Sequence, residues 1–275
     1  AGLSAAYFLA KAGCFVTVFE SMPKPGGMMR YGVPDYRLSS EAVDRDINYI
    51  LSLGVELKTN VTVGKDISIS DLAAQQYKKI FIATGLHKSR ELNISGEDNS
   101  KVLRGTDMLR DVALGKKVKV GKCAAVIGGG NVSIDVARTC LRLGASHVTM
   151  ICLEKLEDMP AHEEEIEEAI EEGISIINGY GIDSLNDNSS TITLNLKSCI
   201  SCFDSQGRFS PKYDLSVKKT IEANTVVTAI GQQTDQEMLA NLLPSLGNNK
   251  LEVDTVSLKI KTIQNKADCE LYAGG

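Results

Sequence analysis

The chain has 275 residues, enough for two domains with separate cores. Its 43% hydrophobic and 24% charged residues are those of a globular protein in water, and a formal net charge of −5 without a basic stripe excludes wholesale nucleic-acid binding. No apolar run has the length of a membrane span and no signal peptide is visible, so the expected compartment is the cytoplasm.

In chain order, Gly2 to Gly13 predicts a helix, and Cys14 to Glu20 a buried parallel strand ending in an acid. A Pro- and Gly-rich loop runs from Pro23 to Pro34, followed by a helix over Ser40 to Leu53. Val55–Leu57 and Lys79–Ala83 read as strands, the second ending in the turn Ala83-Thr84-Gly85. The polar stretch His87 to Lys101 reads as an inter-domain linker. A second unit then opens with a strand at Cys123–Ile127, the turn Gly128-Gly129-Gly130, a helix over Asn131 to Leu143 and a strand over His147 to Leu153. A Glu-rich helix spans Ala161 to Glu172, and Ile174 to Val227 is β-rich with a hairpin near Asn186–Ser190. Val226 to Gly231 is a further strand and turn, and Leu251 to Gly275 is expected to return to the first domain. Alternating strands and helices imply parallel sheets with right-handed crossovers, here as two βαβ units of similar grammar at 1–20 and 123–154.

The seven cysteines have no disulfide-framework spacing. Cys14, Cys123, Cys140 and Cys152 read as small buried hydrophobes in a reducing compartment.

A Gly-rich βα turn lets the backbone approach a pyrophosphate, which the free N–H groups of the helix N-terminus then bind. An acid ending the second strand accepts hydrogen bonds from a ribose diol. Gly128 to Ser133 fits Gly-x-Gly-x-x-small between a strand and a helix, the context that gives the motif weight. In the first unit only the end of such a motif is present: Gly2 as third glycine and Glu20, eighteen positions later, as ribose acid.

Several runs occur in one order: Gly2 to Ala6, Pro25 to Pro34, Ile82 to Gly85, Gly128 to Arg138, Met159 to Ala161, and Ala229 to Gln232. In these the chain resembles the glutamate synthase small-subunit type of FAD/NAD(P)-dependent oxidoreductase, within the pyridine nucleotide-disulfide oxidoreductase superfamily. The same module is similar to parts of dihydropyrimidine dehydrogenase and of ferredoxin-linked flavin transhydrogenases. The resemblance implies an α/β fold of two Rossmann-like dinucleotide-binding domains: an FAD domain over 1–103, an NAD(P) domain inserted over 104–235, and an FAD-domain return over 236–275. It implies that Gly2, Glu20, Gly27, Met28 and Thr84 line FAD. It likewise places Gly128, Gly130, Asn131, Val132, Asp135 and Gly231 at the nicotinamide nucleotide.

The chain departs from that family at three points. It opens at Ala1, after the family's first strand and two glycines, and stops at Gly274-Gly275, where the family continues with an Asp and a helix. It is therefore expected to be a piece of a longer protein that holds FAD poorly in isolation. Where NADPH-using members carry two adjacent arginines, Leu153 and Glu154 stand, which favours NADH over NADPH, although Lys155 follows.

Cys199-Ile200-Ser201-Cys202 lies at the end of a β pattern, about seventy residues after the second Gly-rich turn, where thioredoxin reductases place such a pair before it. It is read as structural rather than as a redox dithiol. His162 to Glu172 carries seven glutamates and is read as a solvated acidic face, and Asp135 and Arg138 as a surface pair unless they touch nucleotide. No metal site and no catalytic side chain is expected. The expected activity passes hydride from NADH (or NADPH) to FAD. Electrons then go on to an iron–sulfur partner in a hetero-oligomeric complex. A non-catalytic nucleotide-binding or structural subunit is the alternative, and a dithiol reductase the third reading.

Overall fold

A computed structural model describes residues 1–246, 251–261 and 269–275. The elements in chain order are α1 (Gly2–Lys11), β1 (Thr17–Glu20), α2 (Met28–Tyr31), α3 (Ser40–Ser52), β2 (Glu56–Thr59), α4 (Ile69–Ala74), β3 (Lys79–Ile82), β4 (Lys88–Ser89), β5 (Val102–Arg104) and α5 (Gly105–Ala113). They continue with β6 (Cys123–Ile127), α6 (Asn131–Arg142), β7 (His147–Ile151), α7 (Glu163–Glu171), β8 (Ser175–Ile177), β9 (Tyr180–Asn188) and β10 (Thr191–Phe203). β11 (Phe209–Ala223), β12 (Thr225–Thr228), β13 (Gln232–Gln233), α8 (Gln236–Leu242) and β14 (Glu270–Ala273) complete them.

The chain forms two compact units. The first comprises Ala1–Arg30, Leu38–Lys88 and Gln233–Gly275, the second Tyr31–Arg37 and Ser89–Gln232. In the first unit β1 pairs in parallel with β2, and β3 with β14. β14, at the end of the Leu251–Gly275 stretch, thus belongs to this unit; residues 262–268 of that stretch lie outside the described residues. Ile69 and Leu72 of α4, Ile82 of β3, Leu239 and Leu242 of α8 and Leu271 of β14 form the core. The first strand differs from expectation: it begins at Thr17 and is half-buried, because among the described residues β2 is its single strand neighbour. Cys14 is accordingly exposed and Cys123 partly so, while Cys140 and Cys152 are buried as expected.

The second unit is built on a five-stranded parallel sheet of order β5-β12-β6-β7-β8. Both faces are covered, which explains the unbroken apolar run of β6. Ala124, Val126, Val148 and Met150 face the helices α5, α6 and α7 through Met108, Ile134, Val136, Ile166 and Ala169. Ala125, Ile127, Ile151 and Val226 face the antiparallel sheet β9-β10-β11 through Ile182, Leu185, Ile192, Leu194 and Leu196. The β-rich stretch is thus a third layer, with the hairpin turn at Ser189 in a left-handed conformation (φ 65°).

The polar stretch His87–Lys101 is not a loose linker, and from Ser89 onward it belongs to the second unit. The Glu97 carboxylate is buried and accepts the backbone N–H groups of Leu92 (2.8 Å) and Asn93 (2.7 Å) while pairing with Arg104. Burial opposes the charge, yet these donors hold the carboxyl below its usual range. The segment also lies tightly on β9, where Leu185 N–H donates to Ser95 O at 3.0 Å. β5 then joins the parallel sheet beside β12. These contacts place the chain from Ser89 onward in the second unit. Glu97→Ala strands two backbone donors and a guanidinium, and is expected to cost about 2–4 kcal/mol in chemical denaturation. A loss below about 1 kcal/mol would restore the linker reading.

Candidate functional site

In the second unit the turn between β6 and α6 is threaded between the ends of two other strands. Gly128 has φ +139°, and a methyl group there would collide with the Ala229 carbonyl oxygen and Ser133 Oγ. Ser133 fixes the arrangement by donating to Ala229 O at 3.0 Å. At Gly129 a methyl group would lie 3.0 Å from both Cys152 Cβ and Glu154 Oε2. At Gly130 it would meet nothing nearer than Pro160 Cγ at 4.0 Å, so the turn is open there. Gly130 is the N-cap of α6 and no side chain caps the helix. The Asn131 and Val132 N–H groups of the first turn therefore have no helical acceptor and lie at the positive end of the helix dipole.

The structure brings Glu154 to this turn. It follows β7, and its backbone carbonyl accepts from Gly179 N–H (3.0 Å) and Asn178 Nδ2 (3.2 Å), which leaves its carboxylate by Gly129. The loop Met159-Pro160-Ala161 borders the turn, with Ala161 N–H on Gly129 O at 3.1 Å. Asn131 Oδ1 accepts from His162 N–H at 2.9 Å, so this side chain positions the loop. Val132 is partly exposed in the first turn of α6. Gly231 has φ +100° and its carbonyl accepts from Arg90 N–H at 3.0 Å. These backbone features fit a dinucleotide: glycines without side chains, an open helix N-terminus and an acid beside the turn.

Asp135 and Arg138 do not form a surface pair. Both are buried, and each faces a different partner. Asp135 pairs with Arg37, whose second nitrogen pairs with Glu165 at 2.7 Å. Burial, with the charge of Glu165, pushes the Asp135 carboxyl above its usual range against the pull of Arg37. Arg138 pairs with Glu168 and Glu172, and Arg142 with Glu172. The Tyr36 ring lies under both guanidiniums, 4.9 Å from Arg138 and 4.1 Å from Arg142. The Glu-rich helix α7 is therefore not simply a solvated face. Three of the seven glutamates counted there, Glu165, Glu168 and Glu172, hold arginines.

In the first unit, α1 packs on β1 and β3, and a methyl on Gly2 would lie 3.4 Å from Ala83 Cβ, next to Thr84. Gly274 N–H donates to Ile82 O at 3.2 Å, which brings the Gly-Gly run to the same strand end. Glu20 ends β1 and accepts from Met22 N–H at 2.9 Å. Gly26 and Gly27 both have positive φ, and a methyl on Gly27 would meet nothing within 4 Å. Met28 opens α2, a short helix inside the expected loop. Arg30, which the sequence reading left without a role, is buried beneath this loop. Its Nε donates to Pro25 O at 2.6 Å, Nη2 pairs with Asp44, and Nη1 is buried without a partner among the described residues. An arginine just after a Gly-Gly turn was the available signal. An open glycine turn above an orphaned donor fits an anionic or carbonyl-rich ligand such as a flavin dinucleotide.

Two dinucleotide-type units of this construction define a two-nucleotide oxidoreductase fold. A family model for the pyridine nucleotide-disulphide oxidoreductases matches residues 1–263, and the chain belongs to that family. The expected class, an FAD- and NAD(P)-dependent oxidoreductase module, follows from that membership. The chain is 36% identical, over 94% of its length, to the beta subunit of an NADP(+)-dependent formate dehydrogenase from Moorella thermoacetica. It is 30% identical over its full length to the PreT subunit of an NAD-dependent dihydropyrimidine dehydrogenase from Escherichia coli O157:H7. It spans 37% and 60% of those relatives' lengths. The solved structure of FprA from Mycobacterium tuberculosis (His57Gln mutant) superposes with a TM-score of 0.76 at 16% identity, covering 99% of this chain and 75% of that one. Among the described residues no helix is long and apolar enough to cross a membrane, and no cluster of His, Cys, Asp or Glu could hold a metal ion.

Hydrogen bonds from Arg142, then from Arg138, depress the Glu172 carboxyl to about 2 from the ordinary 4.5. A depressed folded-state value adds stability that is complete above pH 4.5 and is lost as pH falls toward 2. Between pH 6 and pH 3.5, Glu172→Gln is therefore expected to lose less unfolding free energy than wild type. Equal losses would mean the network does not act on folding.

Proposed function

We propose that the first unit holds FAD and the second a nicotinamide nucleotide, and that the chain is the hydride-accepting module of a hetero-oligomeric electron-transfer complex. Bound together, the two cofactors supply hydride transfer without a side-chain nucleophile. The protein's part is to bind and orient. The Asn131 and Val132 N–H groups of α6 take the pyrophosphate over Gly128 and Gly130. Glu154 accepts hydrogen bonds from the adenosine ribose, and Gly231 bounds the nicotinamide side. Asp135, engaged by Arg37, shapes the site from behind α6 rather than touching nucleotide. In the first unit Gly2 and Thr84 flank the pyrophosphate, Glu20 the ribose, and Gly27, Met28 and Arg30 the flavin side. Electrons leave to an iron–sulfur partner, and the names of the relatives, both subunits of larger enzymes, support an assembly of this kind.

The carrying observation is the Glu154 carboxylate beside Gly129. A carboxylate there accepts from a 2′-hydroxyl and repels a 2′-phosphate, so NADH is the proposed donor. The relatives' names divide between the two nucleotides, so the reading rests on this residue. Anaerobic stopped-flow of the full-length protein should show flavin bleaching with NADH at a kcat/KM at least about ten-fold above NADPH, or about 1.4 kcal/mol. Glu154→Gln should narrow that ratio, mostly through NADH binding. A strong NADPH preference in wild type defeats the assignment. Absence of bleaching with either nucleotide supports a non-catalytic subunit instead.

A further inference from the structure

In a regular strand, residues three apart point to opposite faces of the sheet. β10 breaks that rule at its far end. Its register against β11 shifts between Lys197 and Ser198, between Cys199 and Ser201, and between Ser201 and Phe203. The bulges turn Cys202 back to the side of Cys199, and the two sulfurs lie 3.8 Å apart. Both residues are partly exposed, unlike the buried Cys140 and Cys152.

This pair is tied to Glu154 by two backbone hydrogen bonds in series. Cys199 N–H donates to Gly179 O at 2.8 Å, and Gly179 N–H donates to Glu154 O at 3.0 Å. Cys152 donates to the same Glu154 carbonyl through its thiol at 3.6 Å, and Asn178 Nδ2 reaches both Cys152 Sγ and that carbonyl.

We propose that Cys199 and Cys202 are a reversible disulfide-forming pair, oxidised by exchange with a small-molecule disulfide of the glutathione type, and that its oxidation state changes how Glu154 is presented to the adenosine ribose. The second half rests on the reading of Glu154 given above. The order of attack follows from the surroundings. Burial first, then the contacts with Cys199 and the charge of Glu154, push the Cys202 thiol up to about 12. Cys202 is therefore the second to react. The Cys199 thiolate attacks the external disulfide, forms a mixed disulfide and releases one thiolate. That thiolate takes the Cys202 proton and leaves as a thiol, and the Cys202 thiolate displaces the second external sulfur from Cys199 as a thiolate, which takes up the proton that Cys199 first gave to solvent. Two protein thiols are oxidised and one external disulfide is reduced to two thiols. Closing the sulfurs to a bond of about 2.05 Å draws the Cys199 strand in, and Gly179 passes the movement to Glu154.

The test equilibrates full-length, flavin-loaded protein in glutathione redox buffers and maps thiols by differential alkylation and mass spectrometry. The expected result is a single two-electron transition that protects Cys199 and Cys202 together while Cys140 and Cys152 stay reduced. The dissociation constant for NAD+ should change at least three-fold on oxidation, and the Cys199→Ser/Cys202→Ser variant should not respond. A lasting glutathione adduct on wild-type Cys199, or no reaction in oxidising buffer, overturns the pair. A disulfide that forms with NAD+ affinity unchanged overturns the coupling. Wild-type NAD+ affinity in Glu154→Gln would instead count against the ribose assignment and leave the disulfide standing.

Discussion

The second unit depends on the close approach permitted by Gly128 and Gly129. One meets the end of β12 at Ala229 and the hydroxyl of Ser133, and the other meets Cys152 and Glu154 at the end of β7. The first approach excludes a Cβ and the second leaves room for one only if its neighbours give way, so the turn can sit between the carboxyl ends of the two strands that flank β6. An open helix N-terminus and a strand-end carboxylate are thereby forced into one small volume before any ligand arrives. Preorganisation of this kind lowers the ordering cost of binding.

α6 does two separate jobs along its length. Its first turn is uncapped and open, while its middle and end carry Asp135, Arg138 and Arg142, which hold Tyr36 and Arg37 against the second unit. The two charge systems differ in kind. Asp135 is held above its usual range by burial, so its pairing with Arg37 specifies where the segment sits more than it stabilises the fold. Glu172, shared by two arginines, is depressed and is a net source of stability. The arginine fork accounts for both: it fixes position through several donors at once.

Much of this was legible in the sequence. The strand–glycine–helix grammar at Cys123–Arg142 located the glycine turn between β6 and α6, because periodicity and turn chemistry agree there. The pairing of β3 with β14 was foreseeable only through family resemblance, since nothing local in Glu270–Ala273 names a partner some 190 residues upstream. What the sequence hid is long-range and electrostatic. Polar residues in His87–Lys101 read as a linker because composition does not reveal that Glu97 buries itself to collect two backbone donors. The glutamates of α7 read as solvated because the arginines they meet lie far off in sequence, Arg138 and Arg142 on α6 and Arg37 in the turn between α2 and α3. Arg30 lay inside a recognised motif, but its burial beneath the Gly-Gly turn is a property of packing alone.

The antiparallel layer links fold to site in a way that composition could not show. From Thr191 to Leu196, β10 buries every second residue, with Ile192, Leu194 and Leu196 against the parallel sheet. A one-residue slip there would turn those three side chains toward solvent, so register is strongly enforced. Beyond Leu196 the alternation stops and the side chains are half-exposed. Register against β11 breaks from Lys197 onward, where the apolar constraint has ended. The same strand thus keeps its register against β11 where it covers the core and bulges against it where it passes the Gly179–Glu154 connection. An irregularity that would cost stability within the core is tolerated here, and it places two thiols side by side within two hydrogen bonds of the acid beside the glycine turn.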